Sequence, residues 1–277
     1  MTNFLKTTVL MTILTVLFVW VGGVMGGREG AVLAFLMATG MNFFAYFFSD
    51  KMVLSRYRAK EVGPGSGLYD MVARLAERAG LPMPKVYVIP DQAPNAFATG
   101  RNPRHAAVAA TEGILRVLDE EELEGVMAHE LAHVKHRDIL TGTIAATFAG
   151  ALAMMGRFAV AGQGRGGNRN PIGLLIGLVA APAAAMAIRM TISRVREYAA
   201  DAGGADISGN PDGLADALLK ISEAGRRGAT IRNLNSAHSH LFIANPLRGV
   251  GGLAKLFASH PPMEERVRRL RAMARAS

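Results

Sequence analysis

Residues 7–27 run for 21 positions without a charge and residues 30–49 for 20, and only Arg28 and Glu29 separate them. Each run matches the roughly 20 apolar residues that a helix needs to cross a hydrocarbon core of about 30 Å. Two such runs in immediate succession predict a transmembrane helical hairpin with a very short turn. A cleaved signal peptide is the competing reading of the first run, but the run is too long, no A-x-A site follows, and a second span begins at once. Composition agrees with a membrane protein: 50% of the 277 residues are hydrophobic, 19% are charged, and the mean hydropathy is +0.21.

Flanking charges orient the hairpin. Lys51, Arg56, Arg58 and Lys60 follow the second run, whereas the turn carries one arginine beside a glutamate, so the positive-inside rule places residues 51 onward in the cytoplasm. The chain has no cysteine, which agrees with a reducing compartment and excludes both disulfides and a thiolate metal site. The net charge of +9 and a pI near 10.2 do not point to nucleic acid, because no nucleic-acid motif accompanies them. The basic residues gather beside apolar runs, and anionic lipid headgroups are the expected partner.

Residues 119–138 read DEEELEGVMAHELAHVKHRD. Asp119 with Glu122 has the form of a capping box, so a helix is expected to begin there. On a helix, positions four apart differ by only about 40° around the axis, so His129 and His133 point the same way and form half of a metal clamp. Glu130 lies about 100° from His129, near enough to reach a metal-bound water without ligating the metal, as a general base requires. Two histidines on a solvated helix by chance are the plain alternative, and a third ligand decides between them. Met-turn zinc proteases would carry glycine at 136 and histidine at 139; this chain has His136 and Ile139, so that subclass is excluded. His136 is expected at the surface or behind a ligand. The downstream run SRVREYAADAGGA supplies the better candidate: Glu197 and Asp201 share a helix face, one carboxylate to bind metal and one to orient a ligand histidine. His238 and His240 are rival ligands in an irregular stretch, where histidines are ordinarily just solvated.

The remaining chain reads as the body around that site. Residues 62–67 form a Gly/Pro-rich linker, residues 67–80 an amphipathic helix, and residues 85–89, 95–99 and 106–110 three short strands. Asn95, Ala96, Phe97 and Ala98 belong either to plain sheet core or to an edge strand that pairs with an extended peptide substrate. Asn210-Pro211 starts a helix over 212–224, and a basic helix covers 263–274. Two further uncharged runs, residues 139–156 and 170–188, hold 18 and 19 residues. The charge rule does not decide whether they cross, but His133 and Glu197 must meet at one metal, so the crossings between them number two or none. The expected fold is α+β and mainly helical, with a small sheet and two to four transmembrane helices. Its expected organisation is an N-terminal hairpin (1–50), a first catalytic part (51–138), a second hydrophobic hairpin (139–188) and a second catalytic part (189–277).

HELAH at 129–133, REYAAD at 196–201, NAFATG at 95–100 and HPPMEER at 260–266, set among four apolar runs in this order, resemble the HtpX family of bacterial membrane zinc metalloproteases, which is related to the CAAX prenyl proteases. The resemblance covers nearly the whole chain. It implies a zincin-like protease domain in which His129, His133 and Glu197 bind one zinc, Glu130 is the catalytic base and Asp201 stands behind a ligand. It further implies that His260 stabilises the transition state and that Arg266 orients a carboxylate. The chain departs from the family at His136, where asparagine is frequent, which touches only the surroundings of the site. The family role is quality control of damaged polypeptides in the bacterial inner membrane under stress, with other quality-control proteases as expected partners. Two other readings are a prenyl-peptide endoprotease and a non-catalytic membrane scaffold with a structural zinc; the scaffold gives Glu130 no task.

Overall fold

The structure is a computed structural model that describes residues 3–140, 194–226 and 261–276. The expected second hairpin from residue 141 onward, His238, His240 and His260 lie outside the described residues.

The N-terminal runs form α1 (Asn3–Arg56), two helical arms that meet at the non-helical Gly26 and Gly27. Gly27 sits at φ 59°, a left-handed conformation that glycine adopts without strain, and the chain reverses there. The two arms pack back to back. Leu14 and Val21 of one arm and Ala38 and Ala45 of the other are buried at seven-residue spacing, the interval that keeps one stripe facing a partner helix. Asn42 donates to Thr15 Oγ1 at 2.8 Å across the seam. A side-chain carbon at Gly22 would lie 2.4 Å from the Gly30 carbonyl, so glycine permits the close approach near the turn. The outer surface is apolar: Val16, Leu33, Leu36, Phe43 and Phe44 are each at least half exposed, which suits lipid rather than water. In the second arm, Gly26–Phe48 is long and apolar enough to cross a membrane; in the first, the apolar helix Met11–Val24 is shorter than the uncharged run had implied.

Beyond α1 come β1 (Lys60–Val62), α2 (Gly67–Ala79), β2 (Lys85–Ile89), β3 (Ala96–Gly100), β4 (Ala106–Thr111), α3 (Glu112–Val117) and α4 (Glu120–Lys135). After the undescribed stretch follow α5 (Arg194–Ser208), α6 (Pro211–Arg226) and, near the C-terminus, α7 (Met263–Ala274). The sheet has the order β1-β2-β4-β3, with β2 and β4 parallel and both outer pairs antiparallel. β1 ends at Val62, where the Gly/Pro-rich linker begins, and neither it nor α3 is among the expected elements. Three residues are too few to show strand alternation, and six too few to show a helical period.

The sheet has two covered faces. Val86, Ala96, Ala98 and Val108 join the main core with α2 and α4. Phe97, Ala107, Ala109 and Ile89 pack instead against Val53, Leu54 and Tyr57 at the end of α1. Because successive strand residues point to opposite faces, β3 contacts both layers and ties the hairpin to the body.

α4 is the central helix, packed between α5, α6, α2 and the β3 end of the sheet. Its start is the expected capping box: Asp119 accepts from Glu122 N, and the Glu122 carboxylate accepts from Asp119 N, both at 3.0 Å. Residues around almost its whole circumference are buried, as befits a helix surrounded by protein. Gly204 sets the approach of α5, since a side-chain carbon there would stand 2.9 Å from the His129 backbone. That contact brings the carboxylates of α5 within reach of the histidines of α4.

Candidate metal centre

His129 and His133 project from one face of α4, with ring centroids 4.8 Å apart. Glu197, in the first turn of α5, meets them. One ligand atom each from His129, His133 and Glu197 lie within 4.8 Å of one another, and His133 Nε2 stands 3.7 Å from Glu197 Oε1. Residues 64 positions apart in the chain, His133 and Glu197, are thus brought together as the sequence anticipates.

Each histidine turns its other ring nitrogen toward a carboxylate. His129 Nδ1 lies 3.0 Å from Asp201 Oδ1, with both side chains almost fully buried. Arg266, which has no exposed surface, holds Asp201 with two bonds, Nε to Oδ2 at 2.9 Å and a terminal nitrogen to Oδ1 at 2.6 Å. This forked geometry fixes the carboxylate plane and so the histidine behind it. Burial by itself raises the Asp201 carboxyl, but the Arg266 charge and bonds, with His129, hold it well below the usual carboxylate range.

His133 has a corresponding support that the sequence reading missed. Its Nδ1 lies 3.3 Å from Asp138 Oδ2, and Arg196 Nε stands 3.8 Å from the other Asp138 oxygen. Arg137 adopts φ 59° just past the end of α4, the chain folds back, and Asp138 N donates to the His133 carbonyl at 3.0 Å. A carboxylate five residues after the second histidine was the available signal, but a side chain beyond a helix end has no predictable direction until the turn is known.

Glu130 is buried and accepts from Ala98 N of β3 at 2.8 Å. The Thr111 N–H donates to the Asn95 carbonyl at 2.9 Å. Antiparallel alternation then turns the main-chain groups of Phe97 and Thr99 toward β4 and those of Ala96 and Ala98 away from it. β3 is the outermost strand of the described sheet, so the strand expected to meet substrate borders the expected base. His136 is exposed, with its ring against Gly203, and is absent from the metal-competent group.

The electrostatics fit a cation. Burial lowers the His129 imidazole to about 4, despite the pull of Asp201, and keeps it neutral as a ligand must be. Burial also works to lower His133, yet the Asp138 bond and the Glu197 and Glu130 charges outweigh it and lift the ring to about 9. Glu130 is pushed up to about 7 by burial, with Glu197 adding and His133, the Ala98 N–H and Arg266 opposing. A cluster that draws a proton onto His133 offers the same excess of negative charge to a metal ion.

A family model, Peptidase family M48, matches residues 66–274. The chain is 57% identical to a "Protease HtpX homolog" of Syntrophotalea carbinolica, over 98% of this chain and 99% of that one. It is 56% identical to one of Methylibium petroleiphilum, over 99% and 98%. The crystal structure of S. mikatae Ste24p matches with a TM-score of 0.55 at 17% identity, over 94% of this chain and 62% of that chain. This chain thus spans less than two thirds of that protein's length, and the likeness concerns the fold. A family match over residues 66–274 and relatives more than half identical along nearly their full length agree with the HELAH helix and its distant glutamate: the chain belongs to peptidase family M48.

Proposed function

We propose that this metallopeptidase is a zinc-dependent endopeptidase of the bacterial cytoplasmic membrane, acting on cytosol-facing segments of misfolded or damaged membrane proteins. The observation that carries the reading is the convergence of His129, His133 and Glu197 within 4.8 Å, beside Glu130. Two imidazoles and one carboxylate, in a chain without cysteine, form a donor set suited to catalytic zinc with an open position. When bound there, zinc supplies Lewis-acid polarisation of the peptide carbonyl and of water.

The chain's own groups do the rest. Asp201 and Asp138 hold the two imidazoles in the orientation and tautomer that ligation needs. The extended substrate lies along β3, where the main-chain groups of Ala96 and the Ala98 carbonyl turn outward, the Ala98 N–H is held by Glu130, and Asn95 and Phe97 anchor the strand. Such pairing reads backbone and not side chains, as suits a protease of damaged polypeptides. Glu130 accepts the proton of the attacking water and delivers it to the leaving amine. His260 is assigned to stabilising charge on the carbonyl oxygen, and Arg266 to orienting Asp201. The apolar outer face of α1 and the basic residues after it support a position in a bilayer with the site toward the cytosol.

Purified full-length protein should hydrolyse casein, lose that activity to a chelator and regain it on addition of zinc. Activity that persists after complete metal removal would contradict the reading.

A further inference from the structure

Two contacts fix where the site stands relative to the bilayer. The Arg101 guanidinium, just past the end of β3, lies over the Phe47 ring at 5.2 Å from its centroid. Four residues earlier on the strand, Phe97 meets Tyr57, with ring centroids 6.0 Å apart. From Phe47 to Tyr57 a helix rises about 15 Å, and from Arg101 back to Phe97 a strand spans about 13 Å. The matching rises mean that β3 runs alongside the end of α1, antiparallel to it. Phe47 and Phe48 end the apolar stretch Gly26–Phe48, and Lys51 places its ammonium 5.5 Å from the Phe48 centroid. Aromatic rings capped by cations mark the level at which hydrocarbon gives way to headgroups. Buried Val53, Leu54 and Tyr57 seat this part of α1 on the sheet, so the spacing is held by packing and not by a linker.

From this geometry we infer that the enzyme carries a built-in ruler, and that it cuts membrane-anchored polypeptides a few residues from the bilayer surface. Ala98, bonded to Glu130 at 2.8 Å, lies three residues from Arg101, or about 10 Å above the Phe47 level. Each headgroup layer is about 5–7 Å thick, so Ala98 stands just outside it. A chain leaving the membrane in extended form reaches the metal centre after about three residues. Its first accessible bonds are therefore juxtamembrane ones, and an unfolded cytosolic domain farther along is not required. The inference rests on the peptidase reading above and adds to it the position of the scissile bond.

The test uses the full chain in phosphatidylethanolamine–phosphatidylglycerol vesicles, with a single-span substrate whose span is followed by an unstructured linker of about 40 residues in a uniform repeat. The repeat offers the same bonds in every register, and mass spectrometry locates the cuts. Cuts are expected to cluster about three to eight residues from the span, at least about tenfold over positions beyond about fifteen. The same repeat as a free peptide should be cut without positional preference. The Val53→Ala/Leu54→Ala variant, which removes side chains that seat the end of α1 on the sheet, should flatten the cluster while cutting the free peptide at the wild-type rate. An equally flat distribution on anchored and free substrates with the wild-type enzyme would overturn the ruler and leave the peptidase reading intact. Failure to cut either substrate would overturn the peptidase reading and the ruler with it.

Discussion

Glu130→Gln should retain bound zinc and lose about 10² to 10⁴ in the rate of peptide hydrolysis. The amide keeps the size of the side chain and can present its oxygen to the Ala98 N–H, now at 2.8 Å from a carboxylate oxygen, so strand β3 is expected to stay in place. What the amide lacks is a site to receive a proton at neutral pH. A metal-free variant would instead show Glu130 to be needed for zinc binding. Wild-type turnover in a metal-loaded variant would remove Glu130 from the proton-transfer role. Both readouts, metal content and turnover, come from the same preparation.

Arg266→Met should destabilise the folded protein by about 3–5 kcal/mol, because it leaves the Asp201 carboxylate buried with its main counter-charge gone. Arg266 has no exposed surface and both of its bonds to Asp201 are buried, so water does not replace them without rearrangement. The consequence reaches the metal: with its plane no longer fixed, Asp201 orients His129 less well, and zinc affinity should fall about 10- to 100-fold. Combining Arg266→Met with Asp201→Asn removes both charges, and that double variant should recover part of the stability without recovering the affinity. Thermal unfolding in detergent and competitive chelator titration separate the two effects. A single variant as stable as wild type, with unchanged affinity, would show that the ion pair does not support the site.

Much of this site is legible in the chain because its geometry is local to helices. The four-residue spacing of His129 and His133, and that of Glu197 and Asp201, need only helical periodicity to put each pair on one face. The capping box at Asp119 likewise depends on residues three apart. The pairing of the two helices was inferred from the metal's need for a third ligand, and its steric basis at Gly204 leaves no signature in a single sequence. Asp138 and the Ala98 N–H were not foreseen for a related reason. One depends on the left-handed turn at Arg137, and the other is a backbone group supplied by a strand whose neighbours are known only after the sheet forms. The hairpin was legible from length and charge alone, whereas its docking through Tyr57 on Phe97 required the second face of the sheet.

In the proposed centre one zinc is held by two histidines of one helix and a glutamate that returns from far along the chain, and the metal content of purified variants reads out that ligand set. Wild-type protein should carry one zinc per chain, as should His136→Ala, His238→Ala and His240→Ala, while His129→Ala, His133→Ala and Glu197→Ala should be largely emptied. Retention of stoichiometric zinc by Glu197→Ala, with loss in His238→Ala or His240→Ala, would contradict the ligand set.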